Sequence, residues 1–225
     1  MGLADYGALA AVFSHPGPGF VADLERAVVG CADAYPEAAA ALREFAQLLP
    51  REDPHALQEL YTRTFDVQAI TSLDIGYTLF GEDYKRGALL ANLSREHTDA
   101  ANDCGDELAD HLANVLRLLP RLADAALREE LVRVLLAPAV RAMLREFETE
   151  SLEKKFALYQ KHHKTIIETA AGERRTAYRH ALGALLLVLE RDFALPAEPP
   201  APVSRFAAGV GTEMGIESGG PCAAK

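Results

Sequence analysis

Apolar residues recur at steps of three and four along most of this chain, and that spacing constrains its fold more than any other feature. On an α-helix such positions form one stripe, whereas a half-buried strand alternates apolar and polar residues, a pattern that no segment sustains. The longest stripe lies at Tyr178, Leu182, Leu185, Leu186, Leu189 and Phe193. Shorter stripes lie at Leu152, Phe156, Tyr159, His163 and Ile166, and at Leu127, Leu131, Val134 and Leu135. The sequence therefore predicts an all-α fold.

Proline, glycine and capping residues predict where the helices begin and end. The prolines and glycines of 15–19 end a first helix over roughly residues 3–14. Asp53 followed by Pro54 is typical of an N-cap and a first helical position, and it opens a helix that continues to Phe65. Further boundaries are predicted at Pro36 (a helix start), Pro120 (a helix end) and Ala137-Pro138 (between two helices). The total is about ten helices.

Composition divides the chain into two parts. Residues 1–195 carry the helical patterns and are predicted to form a single globular helical domain. Residues 196–225 are rich in proline, glycine and alanine and contain few large apolar side chains. Such a segment buries too little surface to offset the entropy of ordering it, so we expect a disordered tail.

Charge and hydropathy narrow the possible partners. The net charge of −10 argues against sequence-independent nucleic-acid binding and against docking on an anionic membrane, because both need clustered Lys and Arg. The sequence contains no run of about 18 apolar residues, the length needed to span a membrane. Its first residues do not resemble a secretory signal. The three cysteines are odd in number and widely spaced, which suits a reducing compartment. These features predict a cytoplasmic protein.

Carboxylates and histidines concentrate between residues 96 and 111 without matching a known metal site. They are Glu96, His97, Asp99, Asp103, Asp106, Glu107, Asp110 and His111. The stretch lacks the spacing of zinc, calcium and di-iron motifs, and the chain shows no nucleophile with its base and no phosphate-binding loop. The sequence favours a binding or assembly protein that is not an enzyme. A metal- or cofactor-dependent helical enzyme using this stretch with His97 and His111 stays open as an alternative.

Residues 60–87 differ from the Ala- and Leu-rich background. They hold five of the chain's sixteen aromatic residues, several glycines and charges of both signs. Carboxylates next to Gly81 precede a predicted helix, where the helix dipole favours them. Aromatic faces beside carboxylates and an arginine suit a groove for a short amphipathic peptide that carries arginine. The other interpretation is that Tyr61, Phe65, Tyr77 and Phe80 are simply core residues.

Short blocks follow one another in order across residues 60–120: Tyr61, Thr64-Phe65-Asp66, Ser72-Leu73, Phe80-Gly81-Glu82-Asp83, Arg86-Gly87 and Glu107-Leu108-Ala109-Asp110-His111-Leu112. As a set they resemble the signature of the NarJ family, the delta-subunit chaperones of respiratory nitrate reductase within the TorD/DmsD superfamily. The last block resembles the E-x-P-D-H motif of that superfamily, with Ala109 where proline is usual. Length and helical content agree with the family over roughly residues 1–193.

The resemblance implies a cytoplasmic chaperone that binds the apo catalytic subunit of a respiratory molybdenum oxidoreductase, often through a twin-arginine-like N-terminal segment. Such a protein promotes insertion of the molybdenum cofactor and complex assembly before export or membrane attachment. It binds no cofactor of its own and is expected to be a monomer or weak homodimer. A helical adaptor or regulatory protein with no link to molybdenum is the alternative.

The residues expected to bind the partner peptide follow from this resemblance. They are Tyr61, Phe65, Asp66, Tyr77, Phe80, Glu82, Asp83, Arg86, Asp110 and His111. The aromatic members would contact apolar side chains and the carboxylates would meet basic ones. Arg86 is expected either to bind the partner or to fix the Gly81 turn by pairing with Glu82 or Asp66. His111 is expected to act as a structural hydrogen-bond partner or as part of the binding surface.

Overall fold

A computed structural model describes residues 3–148, 151–153 and 174–196 of the chain. Within these ranges ten α-helices are described from end to end, residues 151–153 are also helical, and no strand is longer than an isolated bridge. The helices are α1 (Tyr6–Val12), α2 (Phe20–Cys31), α3 (Pro36–Leu48), α4 (Pro54–Phe65), α5 (Ile75–Phe80), α6 (Tyr84–Asp99), α7 (Leu112–Leu118), α8 (Ala125–Glu130), α9 (Ala137–Arg145) and α10 (Tyr178–Asp192). The predicted all-α fold is confirmed.

Helix starts fall where the capping residues predicted them. The Asp53 carboxylate accepts hydrogen bonds from the backbone N–H groups of His55 and Ala56, and Pro54 is the first residue of α4. This cap satisfies donors that have no partner inside the helix. Pro36 likewise begins α3, where its missing N–H costs nothing.

The predicted break at Ala137-Pro138 is wrong. Helix α8 continues through a π-helical turn, Leu131–Leu136, directly into α9. Pro138 has no N–H to donate, and its ring would clash with the carbonyl of the preceding turn in a regular α-helix. The wider π turn, in which the Ala137 N–H bonds the Val132 carbonyl, changes the register just before the proline and lets the helix pass it.

Helix α10 lies at the centre of the buried core. Four residues of its predicted stripe are fully buried, and the helix packs on α3 and α9. Its last residue, Asp192, accepts hydrogen bonds from the Ala4 N–H and the Tyr6 hydroxyl, at 3.0 and 2.9 Å, and from the Tyr35 hydroxyl. The two ends of the described chain are therefore joined through one carboxylate.

Two of the predicted segments lie outside the described residues. They are the apolar stripe beyond residue 153, with Phe156, Tyr159, His163 and Ile166, and the tail beyond residue 196. Among the helices that the structure describes, none is long and apolar enough to cross a membrane.

The end of α6 sets the path of the loop that leads to α7. The Ala101 N–H bonds the Thr98 carbonyl and the Asn102 N–H bonds the His97 carbonyl, which is the Schellman arrangement of a helix C-terminus. Ala101 has a φ of 48°, a left-handed conformation that glycine adopts without steric cost. This turn directs residues 102–111 back across α6.

Replacing Ala101 with glycine is expected to stabilise the fold by about 0.5–1 kcal/mol, because relief of the left-handed strain exceeds the entropy that glycine loses. Chemical unfolding of the purified chain measures the change. The same substitution at Ala91, an exposed position inside α6, is the matched control and should cost about 1 kcal/mol. Equal losses at both positions would contradict the assignment.

Candidate functional site

An antiparallel backbone bridge joins the aromatic-rich segment, residues 60–87, to the segment rich in carboxylates and histidines, residues 96–111. Asp74, just before α5, pairs antiparallel with His111, just before α7. The Ile75 N–H bonds the Asp110 carbonyl at 3.0 Å, and the Leu112 N–H bonds the Leu73 carbonyl at 2.8 Å. These two hydrogen bonds fix the starts of two helices against each other.

Arg86 holds the same junction through its side chain. Its Nη2 donates to Asp74 Oδ2 at 2.7 Å, and its Nε donates to Asp110 Oδ2 at 3.1 Å. Asp110 is fully buried, and its Oδ1 has no hydrogen-bond partner among the described residues. The guanidinium also lies 5.3 Å from the centroid of the Tyr77 ring, within range of a cation–π contact. The expected pairing of Arg86 with Glu82 or Asp66 is wrong, because both of its ion pairs are made on the bridge side.

Gly76 allows α5 to lie directly on this ion pair. A Cβ built at Gly76 would stand 2.6 Å from Asp110 Oδ2 and 3.0 Å from a methyl group of Leu89. Neither neighbour has room to move, since the carboxylate is fully buried and Leu89 lies in the core. Glycine at this position is therefore required by the close approach of α5 to α6 and to the bridge.

A cleft of about 330 Å³ opens beside the bridge. Its walls come from the end of α4, the segment before α5 and the segment before α7. The lining residues are Tyr61, Phe65, Asp66, Ser72, Leu73, Asp74, Glu107 and His111. The cleft thus combines aromatic rings with three carboxylates and a histidine that caps α7, where its Nδ1 accepts the Ala113 N–H at 3.3 Å.

The aromatic wall of the cleft is also part of the core. The Tyr61 and Phe65 rings lie 5.0 Å apart in an edge-to-face contact and are only 3% and 5% exposed. Behind them the Tyr178 ring lies 4.7 Å from Phe65, and the Tyr61 hydroxyl donates to the Phe13 carbonyl. The interpretations of these two residues as core and as groove wall are therefore compatible, since the cleft has a rigid aromatic side fixed by α10.

Negative charge accumulates in the cleft. Burial raises the pKa of Asp66 and the nearby charge of Glu107 raises it further, while His15 and His111 oppose the shift. Burial also raises the pKa of Asp74, with Asp110 adding to the effect and Arg86 opposing it. No described residue forms an ion pair with the carboxylate of Asp66 or of Glu107. A cation entering the cleft would relieve this repulsion.

The structure places the predicted partner-binding residues in three groups. Tyr61, Phe65, Asp66 and His111 line the cleft, and Arg86 and Asp110 lie behind its wall as the buried ion pair. The others lie outside the cleft lining. An exposed Tyr77 and a half-buried Phe80 belong to α5. Glu82 and Asp83 lie on the turn that follows, where Glu82 is exposed and Asp83 caps α6 by accepting the Lys85 N–H. The predicted set therefore contains part of the cleft lining and the ion pair of Arg86 and Asp110 behind it.

Two carboxylates of the cleft, Asp74 and Glu107, are not among the predicted partner-binding residues. Asp74 follows the Ser72-Leu73 block, and Glu107 begins the block that ends in Leu112. Because Glu107 belongs to one of these blocks and Asp74 adjoins another, their position in the sequence could have identified them as site residues. Their convergence depends on the bridge between residues 74 and 111, which the spacing of the sequence does not reveal.

A buried polar network orders the loop that carries Glu107. The His97 Nε2–H donates to the Ala109 carbonyl at 2.9 Å, and its Nδ1 accepts from the Asn102 amide at 2.8 Å. The Asn102 amide also bonds the Asn114 carbonyl, and the Asn114 amide bonds the Leu108 carbonyl at 2.8 Å. Both nitrogens of His97 are engaged in this way. Across the part of the chain that the structure describes, no group of His, Cys, Asp and Glu is arranged to hold a metal ion.

Comparison with models of known protein families finds no match to this chain, and a search of curated proteins finds none.

Replacing Gly76 with alanine is expected to destabilise the fold by about 1–3 kcal/mol, because the new methyl group overlaps Asp110 Oδ2 and Leu89. Denaturant unfolding followed by circular dichroism measures the loss. Gly87 in α6 is the matched control: a Cβ there meets nothing within 4 Å, so alanine should stabilise by up to about 1 kcal/mol. Tolerance of alanine at position 76 would refute the close approach.

Stability is expected to fall on acidification from about pH 7.5 to about pH 5.5. Burial lowers the pKa of His97 below its ordinary 6.5, so in this window the unfolded chain takes up a proton that the folded chain does not. Protonated Nδ1 would also face the Asn102 amide donor. Unfolding curves across the window measure the slope, which His97→Gln should reduce and His55→Gln, at an exposed residue, should leave unchanged. An identical slope in the His97 variant would rule out this source.

Proposed function

We propose that the protein is an assembly chaperone for a respiratory molybdenum oxidoreductase and that its cleft binds a basic segment at the N-terminus of the apo catalytic subunit. The observation that carries the proposal is a rigid aromatic wall beside two carboxylates, Asp66 and Glu107, that form no ion pair with any described residue. A side chain that fits such a site needs a positive charge at its end and an apolar or planar stem. Arginine meets both requirements, because its guanidinium stacks on aromatic faces and forms paired hydrogen bonds with carboxylates.

Exposed apolar side chains next to the cleft carboxylates in sequence suit an amphipathic segment rather than an isolated cation. Val67 and Leu108 are about half exposed, and each adjoins a cleft carboxylate in sequence, Asp66 and Glu107 respectively. Apolar residues next to the partner's arginine could cover these two side chains. A charge-assisted hydrogen bond contributes about 1.5–3 kcal/mol when desolvated, and each buried apolar side chain adds about 1.5–3 kcal/mol. A short segment could therefore bind with useful affinity.

The sequence blocks that resemble the NarJ family support the same assignment. One cleft is lined by residues from the Tyr61, Thr64-Phe65-Asp66 and Ser72-Leu73 blocks and from the block that begins at Glu107, and Arg86 supports its wall. Blocks far apart in sequence would converge in this way if they served one binding site. The remaining features of the proposal follow the family: the chaperone holds its client until the molybdenum cofactor is inserted, and it acts in the cytoplasm before export or membrane attachment.

Long-range electrostatics would assist the encounter. The chain carries a net charge of −10, so a basic client segment is attracted before contact. Steering of this kind raises association rates and weakens as salt increases. Capture should therefore be faster at low ionic strength, while the local contacts of the cleft decide which segment stays bound.

Affinity capture of the tagged full chain from its native cells, grown on an anaerobic respiratory acceptor, tests the proposal. We expect mass spectrometry to identify a large catalytic subunit that lacks molybdenum. Combining Asp66→Asn with Glu107→Gln should reduce its recovery about tenfold or more, because about 1.4 kcal/mol of lost binding free energy corresponds to a factor of ten. Asp106→Asn removes an exposed charge beside Glu107 and outside the cleft lining, and should not reduce recovery.

The other outcomes distinguish the alternatives. Recovery of the chain alone, or only with mature molybdenum-loaded enzyme, would favour a helical adaptor. A stoichiometric metal that copurifies with the wild-type chain and is lost in a His97 or His111 variant would favour the metal-dependent enzyme. Equal recovery of the apo subunit by the cleft variant and the Asp106 control would move the binding site away from the cleft.

A further inference from the structure

We propose that Arg86 determines where a partner's cation binds in the cleft: it occupies the inner carboxylate, Asp74, and leaves Asp66 and Glu107 as the anchoring pair. The inference rests on the proposed function and specifies the position of the cation within that site. It differs from both sequence-based expectations, in which Arg86 either binds the partner directly or fixes the Gly81 turn. Arg86 would act through Asp74, as a positioning residue.

The geometry shows that Asp74 is already paired with Arg86 and is therefore not free to bind a cation of the partner. Asp74 lines the cleft, but its Oδ2 accepts from Arg86 Nη2 at 2.7 Å. The side chains of both residues are largely buried, so the pair is only weakly screened by solvent. An incoming guanidinium at Asp74 would stand close to an existing one and would be repelled by it.

Arg86 cannot turn away from this position to admit a partner. Its Nε bonds the fully buried Asp110, which has no other cation within hydrogen-bond range among the described residues. Departure of the guanidinium would leave an uncompensated charge in the core, one of the most unfavourable changes a fold can undergo. The stacking of Arg86 on Tyr77 also restrains the guanidinium.

Asp66 and Glu107, in contrast to Asp74, have no arginine or lysine of the described chain paired with them. Neither carboxylate is ion-paired with any residue that the structure describes. Burial and the charge of Glu107 together raise the pKa of Asp66, against the opposing effect of His15 and His111. Two neighbouring carboxylates without a cation between them attract one from outside. Because they flank the cleft from the ends of two different segments, a guanidinium could bridge them against the Tyr61 and Phe65 rings.

Single substitutions in the full-length chain give the first test. The probe is a fluorescein-labelled synthetic peptide with one arginine beside a leucine-rich stretch, and the readout is its dissociation constant from fluorescence anisotropy. Asp66→Asn should weaken binding about tenfold, whereas Asp74→Asn should weaken it less than about twofold, since Arg86 already neutralises that carboxylate. Both substitutions preserve side-chain size, and Arg86 keeps its bond to Asp110 in each.

A background without the internal cation gives the second test. Arg86→Met combined with Asp110→Asn removes the guanidinium together with the buried charge that depends on it. In this background the peptide should bind more tightly than to the wild type, with a steeper salt dependence, and Asp74→Asn should now cost about tenfold. Lys85→Met removes the neighbouring positive charge of α6 as a control and should leave the rank order of the aspartate variants unchanged.

The outcomes separate this inference from the proposed function. If the wild type binds the peptide and depends on Asp66 but loses as much affinity through Asp74→Asn, the role of Arg86 is overturned and the binding site stands. If the Arg86 background binds more weakly while its unfolding curve remains cooperative, Arg86 contacts the partner and the inference fails. If the wild type does not bind the peptide, the proposed function and the inference both fail. If the double variant does not fold, the comparison of Asp66 and Asp74 in the wild type decides alone.

Discussion

The guanidinium of Arg86 is the interaction on which the site depends. It connects α6 to the segment before α5 through Asp74 and to the segment before α7 through the buried Asp110, at the point where those segments form their backbone bridge. Removing one partner of a buried ion pair typically costs about 3–5 kcal/mol, because the remaining charge is left in the core. Gly76 belongs to the same arrangement, since any larger residue would push α5 off the carboxylate. The cleft wall is therefore as rigid as the core behind it.

Under our proposal, that rigidity makes the cleft a selective binding site. The Tyr61 and Phe65 rings are held from behind by Tyr178 of α10, and Glu107 lies on a loop that the His97, Asn102 and Asn114 network orders. A partner thus meets aromatic and acidic groups that are already in place, and little conformational entropy is lost when it binds. Under our proposal the same preorganisation lets a chaperone recognise a basic segment of its client while the rest of the client remains unfolded or incomplete.

Local features of the fold could be predicted from the sequence, whereas the contacts of the site could not. The Asp53-Pro54 cap and the stripe of α10 depend on neighbours within one or two helical turns, so periodicity and capping rules identify them. The helix break predicted at Pro138 is wrong because a π turn before the proline lets the helix continue past it. The pattern of apolar residues does not reveal that change of register. The partners of Arg86 lie 12 and 24 residues away, and Asp74 meets His111 across 37 residues. Such pairings follow from tertiary packing, and only the resemblance connected residues 107–112 with the groove predicted in residues 60–87.

Site-specific photo-cross-linking tests most directly whether the client binds at the cleft. A photoreactive residue replaces Leu108, 49% exposed beside Glu107, and in a second variant it replaces Val29, 74% exposed on α2 outside the cleft lining. After illumination in native cells, the account predicts adducts between position 108 and the basic N-terminal segment of an apo molybdenum-enzyme subunit, and none at position 29. Adducts at position 29 with the same client, or a client bound without any adduct at position 108, would contradict it.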